Sequence, residues 1–504
     1  MSRLKLLFAL LLAGFAVFAT FGPALAASDT LTIANPGEAP TLDPNMTFNG
    51  YSFAITNQIF ETLLLRDDDG LKPRLATSWK MVNDTTWRFE LRKGVKFHDG
   101  TPFDAAAVKF SIDRLVNPAS KSPGAYVLDV IKEVKVIDDS TVEIVTKYPF
   151  APLLAHLTHP VTAIVSPAAA HKFGKDFGRN PVGTGPFVFK SWMTGDQVTL
   201  AANKNYWGGA PKVEKLVFRT IPETATQVVE LRSGAVDLII NVPPDKAAEL
   251  DKAPAIEVHK ALGWGSTYLG FNTQQGPTAD VRVRKAIALA IDRDAMVDQL
   301  RRGMAVKASA PIPNTVWGAA KNLPVYDYDV KAAKKLLAEA GYEKGFKIDL
   351  LTYESAENRQ IAEAIQFQLG QIGITANVKI MDYSAYKNEI VKPDRGLFLS
   401  GWGTVTLDAD YALYALFHSA EIPVNNNAFY KNAEVDKLLL TGRRTDDPKA
   451  RLAAYQKAQE IINADLPMLT LYYPLFSYAK RTRLVGEEIN YSWINMNLSK
   501  AFLK

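Results

Sequence analysis

The sequence predicts an α/β protein of two or three domains, and three observations carry that expectation. Ile361, Ile365, Leu369 and Ile372 repeat at helical spacing, stop at Gly373 and run straight into the alternating Ile374, Ala376, Val378 and Ile380. A helix feeding directly into a strand is the mark of layered α/β architecture. Helical and strand periods are interspersed along the whole chain, without the repeat of about 20 to 50 residues that signals a solenoid or propeller. Finally, 504 residues, 47% hydrophobic and 22% charged with no low-complexity tract, suffice for a sizeable core at roughly 150 residues per domain.

Taken in order, Met1 to Ala26 reads as an export signal. Arg3 and Lys5 precede the apolar run Leu6 to Ala19, and Ala24-Leu25-Ala26 offers small residues for cleavage after Ala26. The run is shorter than the about 20 residues a membrane-spanning helix needs, and no later segment is longer. The chain is therefore expected not to span a membrane. Trp87, Phe89 and Leu91 alternate with charged residues as a half-buried strand, and Lys93-Gly94 and Asp99-Gly100 supply turns. Thr101-Pro102-Phe103-Asp104 predicts a helix capped by Thr101, with Ala105, Val108, Ile112 and Leu115 as its apolar stripe. Val134 to Val145 reads as a hairpin split by Asp138-Asp139-Ser140. Val330, Ala333, Leu337 and Ala340 form a helix with Asp329 as N-cap and Gly341 just past its end. Leu397 to Ser400 reads as a strand and a helix is expected near Tyr411. Leu452, Tyr455, Ala458 and Ile462 give a last helix, followed by a strand from Leu469 to Tyr473.

Composition removes several chemistries. With zero cysteines, thiolate catalysis, cysteine-ligated metal and disulfides are excluded. Losing Arg3 and Lys5 with the signal lowers the formal charge from +5 to +3, a balance that gives no reason to expect nucleic acid, and the densest basic cluster, Lys480-Arg481-Thr482-Arg483, reads as solvated surface. Among the six histidines no HExxH signature occurs; His156 and His159 stand three apart and could share a helical face, but they lack a clear third ligand. No GxSxG elbow or phosphate-cradling loop is present, and the two SxxK matches beyond the export segment, at Ser384 and Ser477, lack their companion motifs. Asp408 and Asp410, placed two apart on a strand, would sit about 6.8 Å from each other, which permits but does not favour a glycosidase pair. The chain is expected to be no enzyme and to hold no metal or cofactor.

Several segments resemble one family. They are Thr41-Leu42-Asp43-Pro44, Lys72 to Trp79, Phe89 to Gly100, Asn180 to Phe187 (NPVGTGPF), Asn203 to Trp207 (NKNYW) and Arg284 to Arg293, continuing through Ala332 to Gly341 and Asp446 to Pro467. Together they resemble the extracytoplasmic solute-binding proteins of peptide, opine and nickel ABC importers, family 5. His159 to Gly174, Gly401 to Phe417 and Asn427 to Lys431 resemble most its glutathione-binding branch. The resemblance implies a two-lobed periplasmic-binding-protein fold, class II-like and large, with an extra β-rich subdomain. By that analogy residues 27–262 plus 481–504 form lobe I, 48–180 its inserted subdomain and 263–480 lobe II, with ligand buried between them by hinge closure.

A peptide brings charged ends and a polar backbone, which cost several kcal/mol to bury unpaired, so the cleft must supply partners. The resemblance assigns Arg359 to the ligand carboxylate, a role suited to its bidentate fork. It assigns the loop Phe48-Asn49-Gly50 to the ligand backbone, where glycine allows close approach. Trp402, Thr404, Tyr383, Trp264 and Tyr268 are candidate pocket walls, against plain core packing. Dipeptide-binding members carry an aspartate where this chain has Val405. Either Asp408 or Asp410 then meets a ligand amine, or the ligand has no free amine there; the plain alternative is that both aspartates merely cap the helix beginning near Tyr411. The implied function is a monomeric periplasmic receptor that delivers small peptides, glutathione-like among them, to a permease and through it to ATPase subunits. A nickel-chelate, haem, opine or sugar receptor is the alternative on the same scaffold, with a hydrolase or a chaperone as readings from other classes.

Overall fold

The computed structural model describes residues 29–67, 70–489 and 496–504. The expected export segment and its cleavage after Ala26 lie outside the described residues. Twelve strands join in one sheet whose spine is Met468–Arg481. From Met468 to Tyr472 this strand pairs antiparallel with Gly265–Gly270, beyond which lie Leu397–Gly403, Phe346–Tyr353 and Ile374–Met381. From Leu475 to Arg481 it pairs instead with Ile256–Leu262, and its other edge there takes Leu238–Ile240. The sheet continues through Thr30–Asn35, Lys215–Thr220, Gln197–Ala202 and Phe187–Met193. The strand expected to end at Tyr473 thus runs on to Arg481, because Pro474, Ser477 and Lys480 break the apolar alternation without breaking the ladder.

This pairing bears on the expected lobe boundaries. The one at 262/263 falls between two strands, Ile256–Leu262 and Gly265–Gly270. The return at 480/481 falls at the far end of the shared strand, which pairs with Ala305–Lys307 as far as Pro474 and with Ile256–Leu262 from Leu475 onward. A separate antiparallel sheet, Ala76–Asn83, Thr86–Leu91, Thr141–Thr146 and Ile131–Asp138 in that order, occupies the stretch read as the inserted subdomain.

The helix Ala105–Val116 packs on that sheet and buries Ala105, Val108, Ile112 and Leu115, its expected stripe. Its cap is Asp104, whose carboxylate accepts from the Ala107 amide at 2.9 Å, and not Thr101. Thr101 belongs to the preceding turn, donating its amide and hydroxyl to Asp99. The Thr101 hydroxyl is taken up by Asp99, which leaves the free helix amide at Ala107 to the Asp104 carboxylate, so the helix starts later than a Thr-Pro reading suggests. In the second half, Val330–Glu339 is capped by Asp329 and closed by Gly341 at φ +85°, as read from the sequence. Ala356–Gly370 leads into Ile374–Met381, which lies parallel to Phe346–Tyr353.

The quoted motifs hold the frame rather than a ligand. Glu61, with 0% exposure, accepts from Arg74 Nε (3.2 Å), Thr184 Oγ1 (2.8 Å), Tyr206 Oη (2.9 Å) and Trp207 Nε1 (2.8 Å), so three separate motifs meet on one buried carboxylate. The glycines of NPVGTGPF let this happen: a Cβ on Gly183 would stand 2.2 Å from the Ile59 carbonyl oxygen. Arg284 and Arg293 are buried and donate to main-chain carbonyls, Arg284 to Thr278, Ala279, Asp465 and Leu466, and Arg293 to Ala308, Tyr326 and Thr470. Among the described residues no helix is long and apolar enough to cross a membrane.

Candidate ligand site at the seam between the lobes

Phe48 and Trp402 come from distant parts of the chain and are drawn into one aromatic cluster. Asn49 caps the helix Gly50–Ile59, accepting from the Ser52 amide, which turns the chain so that Phe48 is left 38% exposed. Phe48 stacks on His159 at 5.0 Å and leans on Tyr126 at 5.4 Å. On the opposite lobe, Trp402 near the end of Leu397–Gly403 lies 5.9 Å from Tyr411 on the helix Ala409–Phe417. Tyr411 bridges the two groups, with its ring 6.2 Å from His159 and its hydroxyl 2.8 Å from that of Tyr126. Burial pushes the Tyr126 hydroxyl up to about 12, so this pair is neutral.

Further bonds cross the same seam. Arg66 donates to the Thr406 and Leu407 carbonyls at 3.0 and 2.9 Å, and the Ala151 amide donates to the Arg443 carbonyl at 2.9 Å. Within the second lobe, Thr404 donates its amide to the Trp264 carbonyl at 3.2 Å. Val405 and Leu407, with Thr158 and Pro160 facing them from the subdomain, wall a cavity of about 680 Å3 beside the seam. That volume lies within the range of ligand pockets. The buried indole Nε1 of Trp402 and the Nε2 atoms of His156 and His159 have no hydrogen-bond partner.

The remaining expected residues are placed as follows. Trp264 and Tyr268 are buried behind the Trp402 strand, where Ser266 pairs with Trp402 and Tyr268 with Ser400; desolvation pushes the Tyr268 hydroxyl up to about 12. Tyr383 is 60% exposed at the start of Tyr383–Ile390 and meets Tyr353 edge-on at 5.3 Å. Arg359 is exposed in the first turn of Ala356–Gly370 and bonds Glu354 through both carboxylate oxygens at 3.1 Å.

Asp408 serves as the helix cap that was one of the expected readings, whereas Asp410 does not cap. Neither aspartate lies on a strand: Asp408 is the N-cap of Ala409–Phe417, accepting from the Asp410 amide at 3.0 Å, and that helix starts before Tyr411. Both carboxylates are matched within their own lobe. Arg451 holds Asp408 with two contacts of 3.0 Å, and Arg443 forks onto Asp410 at 2.9 to 3.2 Å, with the Tyr455 hydroxyl also donating at 3.2 Å. Burial pushes the Asp410 carboxyl up, but the Arg443 guanidinium outweighs it and holds the group below its ordinary value. The histidine pair does not share a helical face either. His156 ends the short helix Leu153–His156, whereas His159 caps the next turn by accepting from the Val161 amide. Sequence reading missed Tyr126 and Tyr411, which meet across 285 positions, and Arg443, which reaches Asp410 from the next helix 33 positions on.

The rings of the cluster pack on one another across the seam, and the cavity lies beside them, reaching the cluster's loop through Val405. Comparison with known proteins agrees with this architecture. The glutathione-binding protein GsiB of Salmonella choleraesuis is 34% identical over 475 residues, covering 92% of each chain. The ABC transporter-associated periplasmic binding protein DppA from Helicobacter pylori, solved in complex with the peptide STSA, superposes with a TM-score of 0.82 at 33% identity, covering 94% of this chain and 98% of that one. HbpA2 from Haemophilus parasuis superposes with a TM-score of 0.85 at 26% identity, covering 94% and 100%. A family model described as bacterial extracellular solute-binding proteins, family 5 Middle, matches residues 70–423. On fold, motifs and full-length similarity together, the chain belongs to the family 5 bacterial extracellular solute-binding proteins.

Proposed function

We propose that this chain is the periplasmic substrate-binding component of an ABC importer, capturing small peptides, glutathione-like ones among them, at the seam and delivering them to a membrane permease. The observation that carries the reading is the convergence of Phe48, Tyr126 and His159 from one lobe with Trp402 and Tyr411 from the other. It is supported by 34% identity over nearly the full length to a glutathione-binding protein. In this reading Phe48, Asn49, Gly50, Trp402, Thr404 and Val405 line the guest, Trp264 and Tyr268 back the wall, and Asp408 and Asp410 hold the loop through their arginines. Tyr383 stands at the mouth. Isothermal titration calorimetry of ligand-stripped protein with a panel of di- to tetrapeptides and glutathione tests it. Binding of at least one peptide is expected, and no binding by any of them defeats the assignment.

Arg359 is the proposed carboxylate partner. Its exposed pair with Glu354 is worth about 1 kcal/mol or less, so an incoming carboxylate can replace Glu354 at small cost. Arg359→Ala is expected to weaken carboxylate-terminated ligands by roughly tenfold or more, the value of a charge-assisted bidentate contact, while amidated ligands change little. Equal loss for both ligand types removes Arg359 from the site. Export is tested by N-terminal sequencing of secreted protein, with Ala27 expected as the first residue.

A further inference from the structure

His156 sits where the two lobes meet. Its ring is 5% exposed, and Nδ1 lies 2.7 Å from the Val127 carbonyl. A carbonyl only accepts, so Nδ1 carries the proton and Nε2 presents a lone pair. That Nε2 is buried without a partner, and Asp410 Oδ2 of the second lobe stands 3.9 Å away, beyond hydrogen-bond reach. The charged and titratable groups facing the ring come from every side. Asp410 belongs to the helix Ala409–Phe417 and Asp408 to its cap; Arg443 comes from the helix Ala433–Arg444, Asp129 from the segment before Ile131–Asp138, and His159 from its own loop. The Tyr411 ring edge covers it at 5.9 Å.

The two carboxylates of the second lobe are already matched, Asp410 by Arg443 and Asp408 by Arg451. A proton on Nε2 would add a cation to a dry seam beside the Arg443 guanidinium, whereas separation of the lobes would give Nε2 to water. We propose that closure of the two lobes requires His156 to be uncharged, so that the clamp loosens as the medium turns acid; this rests on the binding reading above. Desolvation acts in the same sense, lowering His156 below its ordinary value despite the opposing pull of Asp410. The sign follows: a group less basic in the closed form than in the open one favours closure above the open-form value, ordinarily about 6.5. The advantage is lost as pH falls below it, by at most about tenfold per unit for one proton. His159 adds little. Its Nδ1 accepts from the Val161 amide of its own loop, and burial takes it down to about 3, so it stays neutral throughout.

The Ala151 amide, bonded to the Arg443 carbonyl across the seam, reports closure without any ligand. Its hydrogen-exchange protection, corrected for the chemical exchange rate, is expected to be level from pH 8 to 7. Below about 6.5 it should fall by up to tenfold per unit. In His156→Gln, which keeps an amide donor for Val127 and leaves Asp129 in place, the fall should disappear. A flat or inverted wild-type profile, no protection at pH 8, or the same fall in His156→Gln overturns the proposal. Should the variant fail to fold, the wild-type profile decides alone. Calorimetry with the same peptide panel across the range separates the two claims: absence of peptide binding with the exchange profile intact sinks the peptide reading and leaves the switch standing.

Discussion

Glu61 gathers Arg74, Thr184, Tyr206 and Trp207 at zero exposure, and removing it would strand a partly buried guanidinium and three other donors. Glu61→Ala is expected to cost about 3 to 5 kcal/mol, the usual penalty for breaking a buried pair, read as a lower urea midpoint. Asp410 is the counterpart in the second lobe. Asp410→Asn should cost about 3 kcal/mol by leaving Arg443 without its anion. The pH dependence has a definite sign. A carboxylate held below its ordinary value contributes fully above the ordinary carboxylate range and loses that contribution as pH falls through its lowered value. Urea midpoints of the wild type should therefore drop in acid more steeply than those of Asp410→Asn; parallel curves would contradict this. At this scale the sequence was a poor guide. Two aspartates at 408 and 410 announce negative charge, but only the fold brings Arg443 and Arg451 to cancel it. Glu61 carries no sign at all that three motifs converge on it.

Helices were legible because period and caps agree. Val330–Glu339 begins after Asp329 and closes at Gly341 as its residues dictate, and the stripe of Ala105–Val116 is buried throughout. The start of that second helix was misplaced, since Thr101 and Asp104 both satisfy cap preferences and only the structure shows which one reaches an amide. Asp104→Ala should cost about 1 kcal/mol of stability, the usual value of an N-cap. Thr101→Val, by contrast, should shift the thermal midpoint far less, and the reverse order would restore Thr101 as the cap. Strand Met468–Arg481 was read only to Tyr473. Up to that point one apolar environment surrounds it; beyond, its neighbours belong to the other lobe and its pattern changes with them.

Across the whole molecule, the architecture was legible through motifs spread over the chain, and the binding seam was only half so. Phe48 and Trp402 could be named from resemblance, while Tyr126 and Tyr411, which join them at 2.8 Å, stand 285 residues apart and share no periodicity. A closing clamp makes a further prediction. Below about pH 6.5, where the unliganded lobes are expected to part, adding a binding peptide should reduce the radius of gyration in small-angle scattering, and substitution of Tyr411 by alanine, which removes the bridging ring, should weaken that compaction. An unchanged radius on saturation would argue for a rigid receptor.

The continuous strand Met468–Arg481 has a mechanical consequence. Because one ribbon is stitched by main-chain hydrogen bonds into both halves of the sheet, the halves are not joined by a free swivel. Tyr473 and Pro474 lie where those stitches change sides, and proline, lacking an amide hydrogen, cannot donate one. Any rotation of one half against the other would bend this ribbon like a flexure, which resists twist and favours return to the same register.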